Sequence, residues 1–146
     1  MKSVQKITRL QLKINQSIDF ILLGLVSSEP DYKLSLILNK KFRIFLKNIS
    51  PVKLADYRGS ELTFSRFSHT SDSPEIIFNL ISNRSGKNFL LKKLKNIDYL
   101  MQVQDPDNKS NIKSIVAGLR EIDSITAVFN IDLNTIKGKN LQYLTQ

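Results

Sequence analysis

An α+β fold is what this sequence predicts: a mainly antiparallel sheet of about six strands with two helices packed on one face. Three observations predict it. Short apolar runs of strand period recur along the chain, separated by clusters of turn-forming residues. Two other segments carry helical spacing. Most strand candidates follow one another through short connections rather than alternating with helices, which favours a meander over a parallel sheet.

Length and composition set the frame. The 146 residues suffice for one domain with a real core, and 41% hydrophobic residues is a globular composition. A single domain over 1–146 is expected, with 1–9 as a flexible lead and 133–146 as a polar exit with a short apolar tail. The absence of cysteine excludes a disulfide framework, thiolate zinc sites and cysteine nucleophiles. The N-terminus shows no continuous apolar stretch of the signal-peptide kind. Ile18 to Val26 begins late, contains Asp19 and is too short to span a bilayer. A soluble, cytoplasmic protein is the expectation.

The elements follow in order. Leu10, Leu12 and Ile14 alternate with polar residues at strand period. Ile18 to Val26 is nearly all apolar, as in a strand covered on both faces. Ser27-Ser28-Glu29-Pro30-Asp31 reads as a helix start, with a Ser cap, Pro in the first turn and acids near the positive end of the dipole. Leu34, Ile37, Leu38 and Lys41 then fit one helical face, although Leu34, Leu36 and Leu38 also fit a strand. The start signal favours the helix. Phe42 to Ile49 alternates as a strand with one wet face, and Pro51 to Gly59 is expected to be a loop.

Leu62 to Phe67 and Glu75 to Ser82 are strands joined by a polar turn at 69–74. Asn83 to Asn88 is a tight connection with Gly86 available for positive φ. Asp98 to Val103 is a short strand, and Asp105 to Asn108 a turn that caps a helix. Ile112, Ile115, Val116, Leu119 and Ile122 form the clearest helical stripe. Gly118 costs about 1 kcal/mol against Ala inside that helix. Close packing against a strand would justify it. Ser124 to Ile131 is the last strand.

Charge is uneven. Residues 1–50 carry nine Lys/Arg and three acids, residues 51–100 eight and five, and residues 101–146 five and five. A basic half beside a neutral half points either to contact with an acidic partner or to an ordinary solvated exterior. Arg84, Lys87, Lys92, Lys93 and Lys95 make the densest cluster and are the candidate anion or nucleic-acid contacts. The nearby Phe78, Phe89 and Tyr99 lie in strand pattern and read as core rather than as stacking platforms. Arg84-Ser85-Gly86-Lys87 lacks the spacing of a phosphate loop and reads as a hairpin turn.

Residues 91–99, LKKLKNIDY, carry a resemblance. Leu91 stands where an Ile is usual, and Ile97, Asp98 and Tyr99 stand at a Val-Asp-Tyr position. Asp19-Phe20, Asp31-Tyr32, Leu38-Asn39, Val128-Phe129, Ile131-Asp132 and Lys137 agree in the flanks. On these residues the chain resembles the bacterial IPExxxVDY family over nearly its whole length from about residue 10. The family's Pro and Glu are Lys92 and Lys93 here, which reverses a charge. The resemblance implies a single soluble domain and no particular activity.

Catalytic candidates are sparse. His69, the only imidazole, sits in the predicted turn without metal-ligand or general-base spacing. Asp56, Glu61, Asp72 and Glu75 flank one hairpin and could pair for acid–base work, but solvated loop acids explain them as well. Asp105-Pro106-Asp107-Asn108 lacks the Gly and distal Glu of a calcium loop. Asp98 and Tyr99, as strand neighbours, point to opposite faces, so a half-buried Tyr99 and an Asp98 paired with a Lys or capping backbone donors are expected rather than a shared site. No cofactor or metal is expected. The chain reads as a non-enzymatic protein-interaction domain, with a homodimer joined through a sheet edge or the apolar tail as its expected form. A nucleic-acid or ribosome-associated module using the basic half is the alternative, and no membrane partner is expected.

Overall fold

The computed structural model describes residues 20–69, 77–104 and 112–135. Its strands are β1 (Ile21–Ser27), β2 (Lys47–Ala55), β3 (Glu61–His69), β4 (Ile77–Ser82), β5 (Arg84–Ser85), β6 (Asn88–Phe89), β7 (Tyr99–Gln104) and β8 (Ile125–Ile131). The helices are α1 (Asp31–Phe42) and α2 (Ile112–Arg120), with a 3-10 turn at Leu133–Thr135. Six strands form one sheet in the order β2-β3-β4-β7-β1-β8, every neighbouring pair antiparallel, and β5 and β6 form a small separate hairpin. The predicted α+β class therefore holds. The predicted strand over 10–14, the turn residues 70–74, the turn at 105–108 and the apolar tail lie outside the described residues.

Both faces of the sheet are buried. On one, Leu23 and Leu25 of β1, Leu80 of β4 and Met101 of β7 pack against Leu34 and Leu38 of α1 and Ile115 and Leu119 of α2. On the other, Leu22, Phe64, Ile81 and Leu100 pack against Leu90, Leu91 and Ile97, which belong to an irregular segment rather than a helix. This double cover explains the unbroken apolar run in β1. Gly24 sits at its centre because a Cβ there would lie 2.9 Å from the Ile97 and Ile131 side chains.

Several boundaries differ from the sequence reading. The Ser cap is replaced by Pro30, which occupies the N-cap without a side-chain bond. Ser27 Oγ instead accepts the Glu29 N–H at 3.2 Å, bracing the turn before the helix. The predicted strand over Phe42–Ile49 starts only at Lys47, because Phe42 still belongs to α1 and Arg43 ends the helix in the left-handed region at φ 56. Asn39 then fastens the returning chain, its Oδ1 accepting the Leu46 N–H at 2.7 Å. The predicted loop at Pro51–Gly59 is largely strand. Pro51 falls in an irregularity between Ile49 and Val52 on an edge strand, where a missing N–H leaves no partner stranded. The predicted strand over Asp98–Val103 begins one residue later. In α2, Ile115 and Leu119 are buried, whereas Ile112 and Val116 only border the core. Gly118 meets a helix and not a strand: a Cβ there would lie 2.9 Å from the Phe42 ring of α1.

Candidate functional site

The segment from Asn83 to Tyr99 is held by one fully buried amide. Asn83 Nδ2 donates to the carbonyls of Leu94 and Ile97, each at 2.9 Å, and its Oδ1 accepts the Leu91 N–H at 2.8 Å. Without those bonds the chain's polar backbone could not lie flat on an apolar sheet face. Leu91 and Ile97 thereby enter the second core. Asp98 and Tyr99 fasten the other end. Asp98 Oδ2 accepts the Ser27 N–H at 2.9 Å and Oδ1 lies 2.6 Å from Arg84 Nε. The Tyr99 hydroxyl donates to the Glu29 carbonyl at 2.5 Å. Burial, and then the carboxylates of Asp31, Asp98 and Glu29, push the Tyr99 phenol up to about 12. Although neighbours, both side chains brace the same 27–29 turn.

The five cationic candidates are all exposed. They are not equally available. Arg84 is committed to Asp98 and also lies over the Phe89 ring at 5.1 Å. That ring is thus covered, and Phe78 and Tyr99 are in the first core. Lys92, Lys93 and Lys95 project between the anchoring Leu91 and Ile97.

His69 ends β3 rather than sitting in a turn. Its Nδ1 accepts the Phe45 N–H at 2.9 Å and its ring tilts against Phe78. Asp56 turns back on its own backbone, its Oδ1 accepting the N–H groups of Arg58 and Ser60, and Glu61 faces Lys53 at 3.9 Å. Asp72 and Glu75 lie outside the described residues. The structure thus brings neither Asp56 nor Glu61 to the imidazole.

Two surfaces escaped the sequence reading. The first is a groove on the face of the sheet opposite α1 and α2, lined by Ile49, Arg66, Ser68, Ile77, Asn79, Ile81, Gln102 and Gln104. The second is the β8 edge. Among the described residues β8 pairs with β1 on one side and with no strand on the other. Its sequence, ITAVFNI, holds no charge and no Pro, Phe129 is 45% exposed, and its register with β1 is regular from Ala127 to Ile131, slipping only at Thr126 near its start. The opposite edge, β2, carries Lys47, Lys53 and the irregularity at Pro51, which are ordinary guards against unwanted strand pairing. Beside β8 lies a shallow depression of about 560 Å³ bordered by Phe20, Leu22, Ile131 and Leu133. Polar residues inside β7 and uncharged β-branched residues in the last strand were the available signals.

Together the fold and these surfaces define a small α+β domain with a braced cover segment, one edge strand guarded by lysines and a Pro, and one edge strand that carries no charge and no partner strand among the described residues. No protein-family model matches the chain, and no curated protein is significantly similar to it. Among the described residues, no helix is long and apolar enough to cross a membrane, and no group of three or more His, Asp or Glu could hold a metal ion.

Proposed function

We propose that this protein works by binding rather than catalysis, as a cytoplasmic interaction domain whose partner is a second copy of itself, joined through β8. The observation that carries this reading is the contrast between the two sheet edges. From Ala127 to Ile131 β8 is an uncharged edge in regular register with an exposed aromatic, and such a stretch is a template for another strand. Charge is compatible with this pairing: β8 itself carries none, so copies meeting through it bring no like-charged side chains of that strand together. Two antiparallel β8 strands would continue the sheet across a two-fold axis and bring the Phe129 rings near it.

Mass measured across a concentration series tests this. The dimer reading expects twice 16.7 kDa at high concentration. Phe129→Lys places like charges near the axis and returns the mass to that of a monomer, with an unchanged circular dichroism spectrum. A wild type that stays monomeric throughout, or a Phe129→Lys variant that still dimerises, overturns the reading.

A second reading, contact with a polyanion, rests on the exposure of Lys92, Lys93 and Lys95 on one short segment. With the neighbouring rings covered, that contact would be with phosphates and not with bases. Membership of the IPExxxVDY family belongs to the same proposal. Its support is that Leu91, Ile97, Asp98 and Tyr99 act together as one brace, a reason for those four residues to recur as a set.

A further inference from the structure

The face of the sheet opposite α1 and α2 changes character along its strands. Cross-strand registers place side chains in rows. One row runs Leu54–Leu62 and the next Val52–Phe64, all apolar. The row Ile49–Arg66–Ile81–Leu100 is mixed. The row after it, Lys47–Ser68–Asn79–Gln102, is wholly polar across four strands. Gln104 stands opposite Ile77 in the row beyond. The segment 90–97 covers the apolar end. At the polar end lies the groove, about 260 Å³ in volume, just below the usual range for drug-sized ligands and so suited to a smaller molecule.

A merely wet sheet face does not account for this end. Gln102 is only 2% exposed, although Met101 and Val103 beside it and Leu100 on its own face are apolar. Asn79 Nδ2 donates to Gln102 Oε1 at 3.0 Å, so the two amides are locked together across β4 and β7. Arg66 is positioned by its Nε, which donates to the Ser50 carbonyl at 3.0 Å on the bulged edge strand. Ile49, Ile77 and Ile81 give the groove apolar walls, and no acid lines it among the described residues. A concave site with apolar walls, a few convergent amides and one oriented guanidinium is the usual make-up of a small-ligand pocket. The guanidinium fork matches a carboxylate, and the amides and Ser68 hydroxyl match hydroxyl or amide groups.

We propose that this groove binds a small carboxylate that also carries hydroxyl or amide groups, with Arg66 meeting the carboxylate and Asn79, Gln102 and Gln104 the polar remainder. The site lies at the far side of the sheet from β8 and does not depend on self-association.

Amide-resolved NMR on the full chain tests it with four probes: gluconate, L-glutamine, uncharged sorbitol and inorganic phosphate. Saturable shifts at Ser68, Asn79, Gln102 and Gln104 with gluconate or glutamine are expected, and weaker or none with sorbitol. Arg66→Gln should weaken that binding at least tenfold, and Arg66→Lys less. Because Arg66 also holds Ser50, Gln104→Met provides a second variant that leaves the edge strand untouched; it should weaken binding several-fold while the melting temperature stays put. Equal shifts with phosphate and with the carboxylates would overturn the ligand class. No shifts at these four residues with any probe, or unaltered binding in both Arg66→Gln and Gln104→Met, would overturn the site.

Discussion

Asn83 Oδ1 accepts the Leu91 N–H at 2.8 Å while its Nδ2 reaches the Ile97 carbonyl at 2.9 Å, so one side chain ties both ends of the cover segment to the strand that precedes it. Asn83 is fully buried, and its own N–H donates to the Asp98 carbonyl. The segment that carries Leu90, Leu91 and Ile97 into the second core takes three of its backbone hydrogen bonds from this one side chain.

Asn83→Ala leaves the Leu91 N–H and two carbonyls without their partner in a dry interior. Each such loss costs about 1–3 kcal/mol, so a destabilisation of about 3 kcal/mol or more is expected in urea unfolding. A loss below about 1 kcal/mol would mean that water replaces the amide there.

Tyr99 links stability to alkaline pH. Its folded phenol ionises at about 12, against an ordinary 10.0. The group is raised, so its contribution is fully present below pH 10 and is lost as pH climbs from there through about 12. Tyr99→Phe should remove that alkaline dependence and also lose the bond to the Glu29 carbonyl. Phenolate absorbance of the wild type minus that of Tyr99→Phe should show one step near 12. A difference step near the ordinary 10.0 would contradict the brace described above.

How much of this was legible in the sequence depends on the kind of signal. The strands β1, β4, β7 and β8 and the helix α2 are marked by apolar period alone, and their existence was readable. The region from Phe42 to Ala55 was not. FRIFLKNI alternates well enough for a strand, yet Phe42 packs on Gly118 and Arg43 adopts a left-handed cap that no glycine announces. Pro51 normally ends a strand, but an edge position relieves it of that effect. The brace was legible only as a motif. LKKLKNIDY shows which residues group together, not that a distant Asn83 satisfies their backbone. The groove was hidden for a related reason: Arg66, Asn79 and Gln102 are far apart in sequence and meet only through register.

The last helix carries a plain test of the first core. Leu119 is fully buried beside Leu34 and Leu38. Leu119→Asp would place a carboxylate there and should cost several kcal/mol, on the order of 3–5, or unfold the domain outright. Gly118→Val should also destabilise it, because the added carbons meet the Phe42 ring, which a Cβ alone would approach to 2.9 Å. An unchanged melting temperature in Leu119→Asp would refute the packing of α2 on the sheet.

The three lysines between Leu91 and Ile97 separate charge from fold. Lys92, Lys93 and Lys95 are exposed and flank side chains that anchor the segment inward. Replacing all three should therefore leave thermal stability nearly intact, since isolated surface changes stay within about 0.5 kcal/mol each. Arg84 is the wrong place to begin, because its removal would leave the Asp98 carboxylate beside the Ser27 amide without its cation. With Gln at the three positions, retention on single-stranded RNA should weaken and its salt slope flatten by about 2, from roughly 0.7 for each phosphate no longer neutralised. With Glu, retention should vanish. Binding of the Glu variant at the wild-type level, with the wild-type slope, would refute the polyanion reading while leaving self-association through β8 standing, because β8 and this segment share no residue.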